Sequence, residues 1–220
     1  RVLAIANKEQ RGYITPQEFN LFANQAQMDI FEQYFYDLNQ FSRIPGNSSE
    51  YSDMVNIIEE KINIFEAIFP LTPDGNGIAN LGTVPNMYRL GSIQRDGGIE
   101  AEKVEHKDFE EINRGPLTSP SRSRPIFQVR GNLAIIRPID GGAVNVHYIR
   151  RPGNVGWGYD VINEKALYNA GSSFNFELHD SEETDLVVKI LTLAGVLMED
   201  QMLAQAATQE DAKNTKQEKQ

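Results

Sequence analysis

Carboxylates are the side chains best spaced for chemistry in this sequence. Glu100, Glu102, Glu105, Asp108, Glu110 and Glu111 follow one another closely, and a pair of carboxylates flanking a sugar bond is how a glycosidase supplies its acid and its base or nucleophile. That chemistry needs two acids in environments different enough to separate their pKa values. This run instead alternates along an expected strand and then along a helix face, which exposes its acids to solvent. The three histidines, His106, His147 and His179, form no His-x-x-x-His pair for a metal. His106 lies between Glu105 and Lys107 and is expected to be solvated, His147 belongs to an expected strand, and His179 neighbours a helix cap. Ser181 stands too close in sequence to His179 and Asp180 for a triad, and capping explains it better.

Other motifs fall short as well. Gly77 to Gly82 has the glycine spacing of a phosphate loop but lacks the following Lys and Ser or Thr, and no strand precedes it. Asp74-Gly75-Asn76-Gly77 lacks the later acids of a calcium loop and is expected to be a turn. With no cysteine, a disulfide, a Cys-based zinc site and a thiol nucleophile are excluded. No catalytic, cofactor-binding or metal-binding residue is assigned, no cofactor is expected, and the chain is not expected to be an enzyme.

A division of charge stands out instead. Residues 99 to 111 carry six acids and two lysines, whereas residues 114 to 151 carry seven arginines and a single acid, Asp140. Three readings stay open. The patches pair within one subunit; or Glu100, Glu102 and Glu105 of one copy meet Arg122, Arg124, Arg130, Arg150 and Arg151 of the next, fixing register by complementary charge; or the arginines touch DNA directly. Trp157, Tyr159 and Tyr13 are candidate contact aromatics, because Trp and Tyr are enriched among interface anchors. For Trp157 the alternative is that it fills its own core.

The elements that position these residues follow from caps and periodicity. Thr15, Pro16 and Glu18 make a capping box with proline in the first turn. Phe19, Phe22, Ala26, Ile30, Tyr34, Leu38 and Phe41 then share one stripe of a helix that ends near Pro45-Gly46. A second helix, capped by Ser48 or Ser49, is expected to carry Tyr51, Met54, Ile58, Ile62, Phe65 and Phe69 until Pro70 and Pro73 stop it, forming an antiparallel pair with the first. From Asp74 the chain breaks into short segments separated by Gly, Pro and Asn, the punctuation of an antiparallel sheet. Strands are expected at 87–94, 99–105, 125–130, 133–139 and 143–150, with a short helix around 108–113. Asp180-Ser181-Glu182-Glu183 caps a third helix whose apolar face runs through Leu186, Ile190, Leu193 or Ala194, Leu197 and Met202. The expected fold is thus α+β: an N-terminal helical part over 1–70, a β-rich lobe over 71–179, a long C-terminal helix over 180–206 packed on the helical part, and a polar tail over 207–220. No internal repeat is present.

Composition sets bounds on function. Hydrophobic residues make up 40% and charged residues 24%, which suits a globular fold rather than wholesale disorder. The net charge of −10 is concentrated in residues 50–70 and 180–200, at −4 and −5. That layout disfavours a general DNA-binding surface, which needs clustered Lys and Arg. No apolar run approaches the ~20 residues that span a bilayer, and the opening stretch is too short for a signal peptide. A soluble protein without membrane contact or export signal is expected.

The opening from Val2 through Tyr13-Ile14-Thr15-Pro16-Gln17-Glu18-Phe19-Asn20 leads into a long helix rich in Asn, Gln, Phe and Tyr. Further on stand Arg124-Pro125-Ile126-Phe127, Gly131-Asn132, Arg137-Pro138, and Val146-His147-Tyr148-Ile149-Arg150-Arg151-Pro152 continuing to Gly156-Trp157-Gly158-Tyr159. In these phrases, spread over most of residues 1 to 200, the chain resembles virion proteins of tailed phages, particularly the head-to-tail connector, ring or adaptor proteins beneath the portal in short-tailed, crAss-like phages. The resemblance implies a structural subunit assembled in the host bacterial cytoplasm into a homo-oligomeric, twelvefold ring of the virion. Its partners would be the portal protein and other tail ring proteins, with viral DNA passing through the lumen without specific binding. It carries over no catalytic residue. Glu59, Glu60, Glu182 and Glu183 would then suit a channel wall that repels sliding phosphate. Two rival readings come from other classes: a soluble β-rich module of a phage tail that binds carbohydrate or another ligand through exposed aromatics, and a cell-wall hydrolase.

Overall fold

The structure is a computed structural model that describes residues 2, 14–43, 49–95, 97–162 and 165–197. Tyr13, Asp96, residues 198–206 of the expected C-terminal helix and the 207–220 tail lie outside the described residues. The fold is α+β, with N-terminal helices and a central β lobe. Two compact units divide the chain. One combines Arg1–Ile64 with Pro152–Gln220, and the other is Phe65–Arg151. The lobe therefore opens at Phe65 rather than after residue 70, and the helical unit takes the chain back at Pro152, well before residue 180.

In the helical unit, α1 (Pro16–Arg43) starts where the capping box places it. The Thr15 N–H donates to Glu18 Oε2 at 2.8 Å, and the Glu18 N–H donates to Thr15 Oγ1 at 3.2 Å. The Thr15 N–H and, second to it, the Thr15 hydroxyl donate to the Glu18 carboxyl and hold it below its ordinary value. Phe22, Ala26, Ile30, Phe31 and Tyr34 are buried along α1, as the helical stripe requires. The helix α2 (Ser49–Asn63) contributes buried Ile58 and Ile62, and α4 (Glu183–Leu197) contributes Leu186, Ile190, Leu191 and Ala194. Both pack on α1. Each such aliphatic chain, removed from water, contributes roughly 1.5–3 kcal/mol. A single turn of 3-10 helix, Asp180–Glu182, precedes α4, with His179 as its cap: the Ser181 N–H donates to His179 Nδ1 at 3.2 Å.

The helix α2 stops short of the expected Phe69. Phe65 is wholly buried, and Glu66–Leu71 forms a strand, β1, that exposes Glu66, Ile68 and Pro70 while half burying Ala67, Phe69 and Leu71. The apolar residues there satisfy a period of two as well as of 3.6, and the strand wins because it pairs along its length with β7 (Val144–Arg150). The Arg150 N–H donates to the Phe65 carbonyl at 2.9 Å. By alternation, the 67, 69 and 71 backbone groups also face β7, which leaves the missing N–H of Pro70 on the outer side, where an edge strand tolerates proline.

The lobe is a seven-stranded sheet in the order β1-β7-β3-β4-β5-β6-β2, with β2 Ile78–Asn80, β3 Met87–Arg95, β4 Ile99–Lys103, β5 Ile126–Arg130 and β6 Leu133–Arg137. Antiparallel pairing was expected throughout, but β4 and β5 run parallel. The chain between them crosses over through α3 (His106–Arg114) and the Pro/Ser-rich loop, as a parallel pair demands. Ala79 of β2, Ile93 of β3, Ala101 of β4, Phe127 of β5, Ile136 of β6 and Val146 of β7 belong to one buried cluster, with Phe69 of β1 packed against it. Strands from both edges of the sheet thus share a core, so the sheet coils around it. On the other face of β5, Ile126 and Gln128 are buried, and Phe109 of α3, 2% exposed, packs nearby with the Arg137 guanidinium 5.9 Å from its ring centre. A bulge breaks the β3–β7 register between Leu90 and Ile93. Gly91 sits in it, and a Cβ there would lie 2.9 Å from the His147 carbonyl oxygen, closer than backbone permits.

Candidate functional site

The acidic residues of the lobe sit on β4 and α3. Glu100 and Glu102 are exposed on β4, and Glu105, exposed, is the N-cap of α3 without a side-chain capping bond. A shallow groove of about 320 Å³ runs over the β3 bulge past Glu100 and Glu102. The calcium-loop look-alike is a turn, and the phosphate-loop look-alike runs through β2 into a single 3-10 turn, Leu81–Thr83. The Asp74 carboxylate accepts from the Asn76 and Ile78 N–H groups at 2.9 and 2.8 Å, using its oxygen on its own backbone.

The five candidate arginines divide. Arg122 and Arg124 come from the loop between α3 and β5, which closes on itself through a Ser121–Arg124 bridge. Arg124 lies 3.8 Å from Glu102, with both side chains largely exposed, a contact worth about 0–1 kcal/mol. Arg122 Nε meets Asp140 at 3.2 Å. Arg130 donates to the His106 ring at 2.8 Å, and His106 Nδ1 stands 3.2 Å from the buried amide of Gln128. Arg150 finishes β7 and Arg151 follows it, their guanidiniums over the rings of Phe65 and Tyr88 at 5.9 and 5.8 Å. The patches therefore pair within the subunit only in part. Among the described residues, Glu100, Glu105, Asp108 and Glu111 have no ion-pair partner.

The residue that gathers arginines is Asp140. Besides Arg122 it pairs with Nη1 of Arg95, the last residue of β3, and its Oδ1 accepts from the Gly142 N–H at 3.4 Å. Burial pushes its carboxyl up, but the Arg95 hydrogen bond, the Gly142 N–H and the charges of both arginines outweigh this and hold it below the ordinary value.

Trp157 and Tyr159 lie in the helical unit. Tyr159 opens a two-stranded ribbon, β8 (Tyr159–Ile162) with β9 (Lys165–Tyr168), in which Tyr159 faces Tyr168. Trp157 is stacked with both rings, at 5.9 Å from Tyr159 and 6.4 Å from Tyr168. Tyr168, which sequence reasoning missed, is 60% exposed, and Val161 and Leu167 of the same ribbon and Phe174 after it are exposed as well. Trp157 itself is half-buried, held by α1: its N–H donates to Asn20 Oδ1 at 2.7 Å. Asn24 and Gln27 grip the same strap of chain at Val155 and Gly153.

Of the four acids expected to face a channel, Glu59, Glu60 and Glu183 are exposed. Glu182 is not, and leaves the set: it is 6% exposed and its Oε1 lies 2.5 Å from Lys61 Nζ of α2. The capping turn before α4 points it inward, and a buried carboxylate requires a cation. Among the described residues no helix is long and apolar enough to cross a membrane.

No family model matches the chain, and no curated protein matches it.

Proposed function

We propose that this chain is a structural subunit of a tailed-phage virion, a head-to-tail connector or tail ring protein that closes into a homo-oligomeric ring around the DNA channel between portal and tail. In this reading the helical unit is an antiparallel pair with the C-terminal helix packed on it, and the subunit works by shape, without catalysis. The observation that carries the reading is the unbalanced charge of the lobe. Exposed acids on β4 and α3 stay unpaired among the described residues, while Arg130 and Arg151 stand exposed on the same lobe. A head-to-tail contact brings the acids of one copy to the arginines of the next, and each copy offers both halves, as a closed ring needs. The exposed Tyr168 supplies a second contact.

Charge reversal tests the pairing. One variant carries Glu100→Lys, Glu102→Lys and Glu105→Lys, and the other carries Arg150→Glu and Arg151→Glu. Each alone is expected to stay monomeric, and the equimolar mixture to assemble, because reversed acids then face reversed arginines. Assembly of either variant alone to the same extent as the unaltered chain refutes the pairing.

A second reading, a ligand-binding module of a phage tail, is favoured by the stacked, partly exposed rings of Trp157, Tyr159 and Tyr168. Sugar rings stack on such faces, and quenching of Trp157 fluorescence by oligosaccharide, with Tyr168→Ser abolishing it, would favour that reading over the ring.

A further inference from the structure

We propose that the Asn76–Gly77 peptide is a site of spontaneous deamidation, which the folded turn holds in check and which opening of β2 releases. Asn76 is the only asparagine followed by glycine in the chain. The pairing matters because glycine carries no side chain to shield its amide nitrogen. This inference stands independently of the ring.

The reaction consumes only water. As base removes its proton, the Gly77 nitrogen attacks Cγ of Asn76. The N–Cγ bond forms, the Cγ–Nδ2 bond breaks and ammonia leaves, closing a cyclic imide. Water then opens the imide at either carbonyl, giving aspartate or isoaspartate. Asn76 is exposed, and among the described residues only its backbone is hydrogen-bonded, so the leaving amide is unrestrained.

The nucleophile, by contrast, is held. Gly77 is buried, and its N–H donates to the Asp74 carbonyl at 2.9 Å. The Asp74 carboxylate tightens the same turn by accepting from the Asn76 and Ile78 N–H groups. From β6, Arg137 Nη1 donates to the Asn76 carbonyl at 2.8 Å, and the Ile136 N–H donates to the Gly77 carbonyl at 2.8 Å. The peptide is pinned at its N–H and at both flanking carbonyls, so swinging the nitrogen toward Cγ requires the turn to open first. Opening is easiest at β2, which is three residues long, lies at the sheet edge and pairs with β6 alone. The isoaspartyl product does not fit back. It lengthens the main chain by a methylene, where a single carbon added to Gly77 would already lie 2.6 Å from the Ile136 carbonyl oxygen. A converted chain thus loses the Gly77–Ile136 bond, and the opening becomes irreversible.

The test is peptide mapping by mass spectrometry of the full chain kept at mildly alkaline pH, folded in one sample and unfolded in guanidinium in the other. Fragmentation assigns the amide-to-acid mass change to Asn76, because Asn63, Asn80 and Asn86 share its tryptic peptide. Conversion is expected to be slower in the folded chain by about tenfold or more, since only the open population reacts. Arg137→Gln and, separately, Asp74→Ala each remove a restraint on the turn. Each is expected to speed conversion in the folded chain severalfold and to leave the rate in guanidinium unchanged. Equal rates in the folded and unfolded chains overturn the gate, as does a folded rate that neither substitution changes. No conversion at Asn76 in guanidinium overturns the site itself.

Discussion

The side-chain amide of Asn24 and the backbone of Val155 exchange two hydrogen bonds, each 2.8 Å long. Asn20 does the same for Trp157, at 2.7 and 3.4 Å, and Gln27 bonds the Gly153 carbonyl and the Glu177 N–H. Positions 20, 24 and 27 lie on one helix face, while 153, 155 and 157 alternate along an extended strap, so helical spacing on one side matches strand spacing on the other. The amides serve as a sheet edge made of side chains.

Asn24→Leu is therefore expected to destabilise the helical unit by about 2 kcal/mol or more, since it strands a donor and an acceptor of Val155. Trp157 is the only tryptophan and belongs to the strap, so urea denaturation followed by its fluorescence reads the effect. A midpoint unchanged from that of the unaltered chain would show that solvent satisfies Val155 equally well.

Lys61 and Glu182 form a pair with side chains 18% and 8% exposed. Glu182→Leu or Lys61→Met alone is expected to cost about 3–5 kcal/mol, because each leaves a largely buried charge without its partner. The double replacement Lys61→Met with Glu182→Leu is expected to cost less than either single change. A double-mutant cycle by chemical denaturation measures the coupling, and additive losses would contradict it.

Asp140 has a folded pKa below its ordinary value. Its contribution to stability is then complete above the unfolded value of about 3.9 and is lost as pH falls through the lower folded value. Asp140→Asn is expected to be less stable than the unaltered chain at neutral pH, with the gap closing in acid below pH about 4. Melting curves of both proteins across that range check it. A gap that stays constant would place the effect in packing rather than in charge.

Tyr168→Ser removes a ring that is 60% exposed. Subunit stability is expected to change by no more than about 0.5 kcal/mol, while assembly weakens. An unfolded variant would show instead that the ring supports its own unit.

Much of the fold was legible in the sequence where one signal dominated. The Thr15–Glu18 capping box fixed the start of α1, and the glycine turns bounded β3 to β7. Phe65 to Leu71 misled because its apolar residues fit both periods, and only pairing with β7, distant in sequence, decides between them. The parallel β4–β5 pair was likewise invisible, since strand direction depends on where the crossover helix lands. Tyr168 had no signal of its own, because Tyr159 lies on the other strand of the ribbon, and the roles of Asn20, Asn24 and Gln27 had none either: amides on a helix face read as solvent-exposed until the strap covers them. Burial of Glu182 escaped for a related reason, because its cation lies on another helix.

The ring itself is tested most directly by native mass spectrometry of the purified chain over a range of concentration and salt, with stained images of whatever forms. The account expects a closed oligomer of fixed copy number that loosens as salt rises, as contacts between exposed charges must. A monomer at every concentration, in low salt as in high, would contradict it.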